Sequence, residues 1–366
     1  MLAHYVLIIT SLINAAVLPS VSRPRTAKLS RGPVWTDFRN LAIDDQTTMK
    51  AKQLRTESRR LAVVAIDSQR RPAVEVMAEL IRSGLMYGKN LIVTDLTTTT
   101  AIFDREQNPQ AIRATAKNNG LDLVILLSIV TDTKTVQVEV MPTSDEPDMR
   151  LESIQLDNLE NAVLDAAIEL RIILLQRLNA SPIQHAKQIS IRPQASFAAI
   201  EKYLNAKQTI GTVMATKNIQ HRQQLCREAI DKVNQVIADA PDFLEAYLLK
   251  TSCQDELNEE TALRETLTIA VQKYDFNKHD LLTHLELTGD EARFVQSDAL
   301  RALESYQKLL DVCPGNLTAL WAIIDILLAG DGIDKPDKDM IQSASQYAAM
   351  IVACHPQSAV AQAISP

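Results

Sequence analysis

Glycine and aromatic residues are both scarce in this chain. Its 366 residues include nine glycines, and Phe, Trp and Tyr together make up 4% of them. Folds built from many short strands need frequent tight turns, which glycine favours, and strands rich in aromatic residues. The composition therefore argues against an all-β sandwich or barrel, and the many Ala, Leu and Ile residues favour helices.

Residue patterns typical of catalysis and metal binding are also missing. The sequence has no glycine-rich phosphate loop and no nucleophile elbow, and its four cysteines match no zinc spacing. The histidines show no metal-ligand spacing either; they are His4, His185, His221, His279, His284 and His355. We therefore expect a protein that is not an enzyme and that binds no cofactor and no metal.

The cysteines have a simpler interpretation as small apolar residues. We expect them to be buried core residues, because a buried thiol behaves as a small hydrophobic group. In an oxidising compartment disulfides between them are an alternative. The residues are Cys226, Cys253, Cys313 and Cys354.

The charge of the chain is acidic overall but uneven. The formal net charge is −7 and the pI is about 5.5, so we expect no nucleic-acid partner. In residues 23–59, however, Lys and Arg clearly outnumber Asp and Glu. We interpret this segment as a solvated basic linker, with contact to a membrane surface or a nucleic acid as the alternative.

An apolar stretch near the amino terminus, Tyr5–Val21, indicates a targeting segment over residues 1–22. Its length suits a cleaved signal peptide, which predicts a periplasmic or secreted protein. Basic residues follow the stretch and none precedes it, so an uncleaved inner-membrane anchor with a cytoplasmic body is the alternative. A misassigned start codon is a third possibility. In each case we expect membrane contact only through this segment.

Residues 60–180 alternate short apolar runs with amphipathic stretches, which predicts a small α/β (or α+β) domain with a mixed sheet. The expected strands are Leu61–Ile66, Asn90–Thr94 and Leu121–Val130. A helix should begin at Pro72, and another should lie near Pro109–Asn118 and end at Asn118-Asn119-Gly120. The threonines Thr97–Thr100 are expected to form a polar connector.

The end of this domain has a different pattern. Val136, Val138 and Val140 alternate with polar residues, which predicts a half-exposed antiparallel strand. A partner strand is expected at Arg150–Leu156. A long helix should then follow Asp157, which has a glutamate three residues later as in a capping box.

The second half of the chain repeats one spacing, in which an alanine is followed by a proline and a second alanine at fixed distances. Such spacing is typical of helix-turn-helix repeats, because the proline ends one helix and the small residues allow close helix approach. A degenerate unit with Leu263–Tyr274 as its second helix fits between the first two copies. The copies are Ala229–Pro241–Ala246, Ala302–Pro314–Ala319 and Ala344–Pro356–Ala361.

The segments "RLAVVAID", "GLDLVILLSIVTDTKTVQVEVM" and "NAVLDAAIELRIILLQRL" resemble the TolB amino-terminal-like domain, although Ser128 stands where that family usually has glycine. In that family the domain is followed by tetratricopeptide (TPR) repeats, which a helix similar to "ASFAAIEKYLNAK" opens. The resemblance implies an α/β domain at 60–180 and an all-α, TPR-like domain at 195–366. We expect the two to fold separately, joined at 179–194, where Pro182 and Pro193 interrupt helix.

These features predict a non-catalytic interaction or scaffold protein that recruits a protein or peptide partner through its repeats. Partners of helical repeats bind the concave surface lined by the first helix of each pair, here Glu245–Cys253, Asp280–Leu287 and Thr318–Leu328. The alternative is a regulatory or sensor module that binds a small ligand or peptide in the α/β domain, near Asp67–Arg71 and Asp95–Thr100. The candidate exposed contacts of the first hypothesis are Tyr247, Lys250, Gln254, His284 and Asp325.

Overall fold

The computed structural model describes residues 51, 56–66, 72–88, 90–103, 106, 108–130, 135–144, 147–150, 154–155, 159–180, 186–216, 218–329 and 338–357. The predicted targeting segment 1–22, most of the basic linker 23–59 and the loop 67–71 lie outside these residues. Among the described residues no helix is both long enough and apolar enough to cross a membrane.

Six strands form one mixed sheet in the first part of the chain. The strands follow the order β2-β1-β3-β4-β5, and β6 also pairs with β4. β1 is parallel to β2 and β3, whereas β4 is antiparallel to β3. Their bounds are β1 Arg59–Ile66, β2 Leu91–Val93, β3 Leu123–Val130, β4 Thr135–Pro142, β5 Met149–Arg150 and β6 Ile154–Gln155.

The alternating valines are in β4, as expected. Val136, Val138 and Val140 are buried, whereas Gln137 between them is exposed. The predicted half-exposed antiparallel strand is therefore confirmed. Arg150, Ile154 and Gln155 of its expected partner, Arg150–Leu156, pair with β4, and residues 151–153 and 156 lie outside the described residues.

Helices cover both faces of this sheet. They are α1 Pro72–Leu85, α2 Leu96–Phe103, α3 Pro109–Asn118 and α4 Leu159–Arg177. Leu61 and Val63 of β1 belong to the core cluster that contains the apolar side of α1 and α4. Ala62 and Val64, which point the other way, pack in a second cluster with residues of α2 and α3. Burial on both faces explains why β1 from Leu61 onward and most of β3 are apolar.

The expectation of a polar connector at Thr97–Thr100 is wrong, because these residues lie within α2. Asp95 stabilises the start of this helix. Its carboxylate accepts hydrogen bonds from the Thr98 backbone N (2.9 Å) and the Thr98 hydroxyl (2.6 Å). Thr98 and Thr99 are also buried. Capping and burial together outweigh the weak helix propensity of threonine. The predicted stop of α3 is confirmed, since Gly120 has a positive φ of 66° just beyond it.

All the regular secondary structure described beyond residue 185 is helical. Loops of three or four residues join several consecutive, packed helices, which are therefore antiparallel. The bounds are α5 Ala186–Ile189, α6 Phe197–Ala215, α7 Ile219–Asp239, α8 Leu244–Glu256, α9 Glu260–Lys273, α10 Leu281–Asp290, α11 Ala299–Val312, α12 Leu317–Ala329 and α13 Lys338–Cys354. A π-helical turn, Glu291–Val295, continues α10. We call α6, α8, α10 and α12 the first helices of the pairs.

The first alanine of each copy of the repeated spacing lies on a second helix, α7, α11 or α13. Each repeat proline stands in the turn that follows one of these helices. Ala246 and Ala319 lie on the following helices, and Ala361 lies outside the described residues. Side chains one and two turns apart point to the same side and pack against the neighbouring helices. The following residues have no exposed surface: Ala229, Val233, Val236, Ala302, Tyr306, Leu309, Ala344, Ala348 and Ile351.

The helical part packs directly against the α/β part. α6 contacts α1, α2 and α4, and Gly211 of α6 lies so close to Thr97 that a Cβ there would be 2.9 Å from its side chain. At the other end, Gly315 lies against Ile92 of β2. Buried residues of both parts belong to one hydrophobic cluster. Separate folding of 60–180 and 195–366 stays a prediction.

We expect Gly289→Ala to destabilise the protein by about 1–3 kcal/mol, since inserting atoms into a packed core costs that much. A Cβ at Gly289 would lie 2.8 Å from the ring of Tyr306, which a hydrogen bond from its hydroxyl to buried Asp290 holds in place. At an open helical site the same change would stabilise by up to about 1 kcal/mol. Chemical denaturation of the purified chain measures the difference.

Thr268→Ala on the exposed side of α9 is the matched control, because it also introduces alanine into a helix. This variant should unfold at the same denaturant concentration as the wild type or slightly above it. A Gly289→Ala variant as stable as this control would show that the packing of α10 on α11 is looser than described.

Candidate functional site: a charged face on the first helices

Charged side chains from three successive first helices lie near one another. Lys207 is on α6, Glu245 on α8 and Glu286 on α10. All three are partly exposed, and all three act electrostatically on the buried phenol of Tyr203, as does Glu79 of α1. We call Glu79, Lys207, Glu245 and Glu286 the first-helix face.

Glu79 and Lys207 join the two parts of the chain by an ion pair. The Lys207 Nζ lies 2.6 Å from Oε1 of Glu79, whose other oxygen pairs with Arg82. Burial alone would raise the pKa of Glu79, but the two cations outweigh it and hold this pKa at about 2. The same pair raises the pKa of Lys207 against the opposing effect of burial. Both groups are therefore charged at neutral pH.

Asp280 forms the second polar contact between the parts. It caps α10, accepting from the backbone N of Leu282 at 2.8 Å, and it accepts a hydrogen bond from the Tyr87 hydroxyl at 2.9 Å. Arg171 of α4 is nearby and buried; burial lowers its pKa to about 10, although Asp280 and Tyr87 act in the opposite direction. Burial and Asp280 both raise the pKa of Tyr87. The phenol therefore stays protonated and donates a hydrogen bond to Asp280.

Glu245 has the opposite electrostatic environment from Glu79. Burial is the largest influence on it, and the negative charges of Asp280 and Glu286 act in the same direction. Lys207 opposes them only in part, so the pKa of Glu245 rises to about 8. Glu245 is therefore largely protonated at neutral pH, and its charge depends on what lies next to it.

Three of the five sequence-predicted contact residues are not exposed, and that expectation is wrong for them. Tyr247 and Gln254 of α8 are 4% exposed and Asp325 of α12 is 3% exposed. The Tyr247 hydroxyl donates to the backbone O of Pro241 at 3.0 Å. Asp325 forms an ion pair with Arg293, which has no exposed side-chain surface. These side chains maintain the packing of the helices and cannot contact a partner in this conformation.

Lys250 and His284, the other two candidates, are partly exposed. The ring of His284 stacks on Tyr274 with centroids 4.0 Å apart, and burial lowers its pKa. His284 is therefore neutral near pH 7 and presents an aromatic surface. No contact in the structure brings Lys250 and His284 into one site.

On α8 the prediction assigned the wrong side of the helix to solvent. Tyr247, Lys250 and Gln254 share one side of the helix, as expected from their spacing, but this side faces inward. Glu245 and Leu249, on the opposite side, are partly exposed, as is Lys250 at the edge of the inward side. The sequence alone gives little signal for this choice, because α8 has polar residues on both sides. The packing of α8 against its neighbouring helices, chiefly α7 and α9, decides it.

Only part of the alternative ligand site at the strand ends lies within the described residues. Asp95 caps α2 and Thr100 is exposed on that helix. The other side of that predicted site, Asp67–Arg71, lies outside the described residues. Across the residues that the structure describes, no group of three or more His, Cys, Asp or Glu side chains could hold a metal ion.

Comparison with known proteins adds no family assignment. No protein-family model matches this chain, and no curated protein matches it. The function has to be argued from the residues themselves.

We predict that removing the charge of Glu79 and of Glu245 has opposite effects on stability. The pKa of Glu79 is lowered by folding, so its contribution is present above about pH 4.5 and is lost as the pH falls towards 2. Glu79→Gln should thus destabilise the protein at pH 7 by about 1–3 kcal/mol. Denaturant titrations between pH 4 and 9 measure this.

For Glu245 the sign is reversed, because folding raises its pKa. The folded state binds the proton more tightly, so this group makes folding less favourable as the pH rises from 4.5 towards 8. Glu245→Gln should leave stability unchanged near pH 4 and increase it by about 1 kcal/mol at pH 9. Glu265→Gln, on the exposed side of α9, is the control and should change neither. A loss of stability at pH 9 in Glu245→Gln would contradict the assigned environment.

Proposed function

We propose that this chain is a non-catalytic interaction or scaffold protein that holds a protein or peptide partner on its first-helix face. The observation behind the proposal is the convergence of Lys207, Glu245 and Glu286 from three successive first helices. A segment lying across these helices could contact all three at once. Helical repeats generally bind partners in this way, through side chains contributed by successive pairs.

The architecture supports a finer proposal about the two parts. The β2-β1-β3-β4 sheet with helices on both sides is compatible with a TolB amino-terminal-like domain. The buried alanine and proline spacing on α7, α11 and α13 is what degenerate TPR-like repeats would need. In this proposal the α/β part fixes the position of α6, and thereby one edge of the binding face.

The charges of the face indicate what the partner would have to provide. Glu79 and Lys207 neutralise each other, whereas Glu245 lies next to Asp280 and Glu286. A cationic group of a partner placed beside Glu245 would favour its ionised form. Binding of such a segment would release a proton, so its affinity should increase as the pH rises towards 8, and added salt should weaken it.

The proposed location follows from the sequence of residues 1–22 alone. We infer delivery to the periplasm or to the outside of the cell, with inner-membrane attachment and a cytoplasmic body as the alternative. Amino-terminal sequencing of the protein from its own cells distinguishes these, because cleavage near Ser22 removes Met1.

Charge reversal on the face should disrupt partner binding. Tagged full-length chain is used to recover partners from native cells, and the recovered protein is then titrated against purified variants. We expect Glu245→Lys to weaken binding at least tenfold, or about 1.4 kcal/mol, because it replaces an attractive contact by repulsion. Lys250→Glu tests the neighbouring side of α8.

Glu265→Lys is the matched control, since it makes the same charge change on α9, away from the face. Thr100→Lys, at the exposed end of the α/β part, tests the alternative site at the strand ends. If Thr100→Lys abolishes binding and Glu245→Lys does not, the α/β part is the recognition surface and the proposal is wrong. Melting curves exclude variants that do not fold.

A further inference from the structure

Two cysteines that are distant in sequence meet between two helices of the array. Cys226 of α7 and Cys253 of α8 belong to one small buried cluster with Val213 and Ala229. Their thiols share a hydrogen bond, so the two sulfur atoms lie side by side. Each cysteine is 1% exposed. For a disulfide bond the two sulfurs would have to approach to roughly 2 Å.

We propose that Cys226 and Cys253 form a disulfide that links α7 to α8. This bond would join the second helix of one pair to the first helix of the next, on the helix that contributes Glu245 to the first-helix face. An ion pair between Arg222 and Glu256 already connects the same two helices beside the thiols. The bond would thus form between two helices that already pack against each other.

The electrostatics of the pair favour Cys226 as the attacking thiolate. The hydrogen bond with Cys253 lowers the pKa of Cys226, and Arg222 and Arg227 lower it further, against the effects of burial and Glu256. The same hydrogen bond raises the pKa of Cys253, as does its burial. In the folded state Cys226 is thus the more acidic thiol of the pair, and the thiolate is the form that attacks a disulfide.

The oxidant is a disulfide of another molecule, either a protein disulfide or glutathione disulfide. The Cys226 thiolate attacks one sulfur of that disulfide, its S–S bond breaks, and one thiolate leaves. Cys253 then loses its proton to water and attacks the Cys226 sulfur, which releases the second thiolate. Two thiols of the chain are oxidised and one external disulfide is reduced to two thiols. Because both cysteines are buried, exchange occurs during folding or in locally opened molecules.

Cys313 and Cys354 provide an internal comparison. They are also buried, and Cys354 is near enough to influence Cys313 electrostatically. Cys313, however, makes its hydrogen bond with the backbone of Gly315, whereas the thiols of Cys226 and Cys253 bond to each other. We therefore expect the disulfide between Cys226 and Cys253.

Peptide mapping tests the proposal directly. The full-length chain is unfolded, refolded with glutathione disulfide, acid-quenched, alkylated under denaturing conditions and digested with trypsin. Trypsin places each cysteine in its own peptide, with Cys226 in 223–227 and Cys253 in 251–264. We expect these two peptides to be linked, and the oxidised protein to melt roughly 5 °C or more above the reduced protein, since the bond constrains the unfolded chain.

Substitutions then separate this bond from any other. Cys226→Ser should remove the linked peptide and the difference in melting temperature between oxidised and reduced protein, whereas Cys313→Ser should retain both. The mapping of the wild-type chain decides the matter even if Cys226→Ser does not fold. Recovery of both peptides as singly alkylated thiols, or linkage of Cys226 to Cys313 or Cys354, would overturn the proposal.

Discussion

Packing of α6 against α1, α2 and α4 is the contact on which the arrangement of the whole chain depends. α6 is both the first helix of the array and a covering layer of the α/β part, so its side chains must fit both neighbours. Small residues meet this requirement, since Ala199, Ala206 and Gly211 allow close approach. The Glu79–Lys207 pair then fixes the helix against sliding, because a shift along the axis would separate two largely buried charges.

The same contact creates the chemistry of the first-helix face. Glu79 and Glu245 both act on the phenol of Tyr203, yet one has a pKa of about 2 and the other of about 8. The difference arises from their neighbours: cations beside Glu79, and carboxylates beside Glu245. Neither environment exists in an isolated helix. The face is therefore a property of the assembled fold, and a partner bound there would respond to how α6, α8 and α10 are held together.

More of the fold than of the first-helix face could be predicted from the sequence. Alternation at Val136 to Val140 and the proline at Pro241 each reflect one local rule, so strand β4 and the end of α7 could be predicted. The threonines of α2 could not, because capping by Asp95 and burial together outweigh their propensity. The outward side of α8 could not be predicted either, since the burial of Tyr247 depends on its packing against α9 and α10. Local patterns determine elements, whereas sites depend on their assembly.

The buried pair of Arg293 and Asp325 limits how this sequence can change over time. It joins the π-helical turn after α10 to α12, inside the core. Losing one partner leaves a buried charge at a cost of about 3–5 kcal/mol, whereas exchanging both for apolar residues can be nearly neutral. A single substitution at either position would therefore be strongly destabilising, whereas a simultaneous replacement of both residues would be tolerated. Related sequences should therefore have both residues or neither.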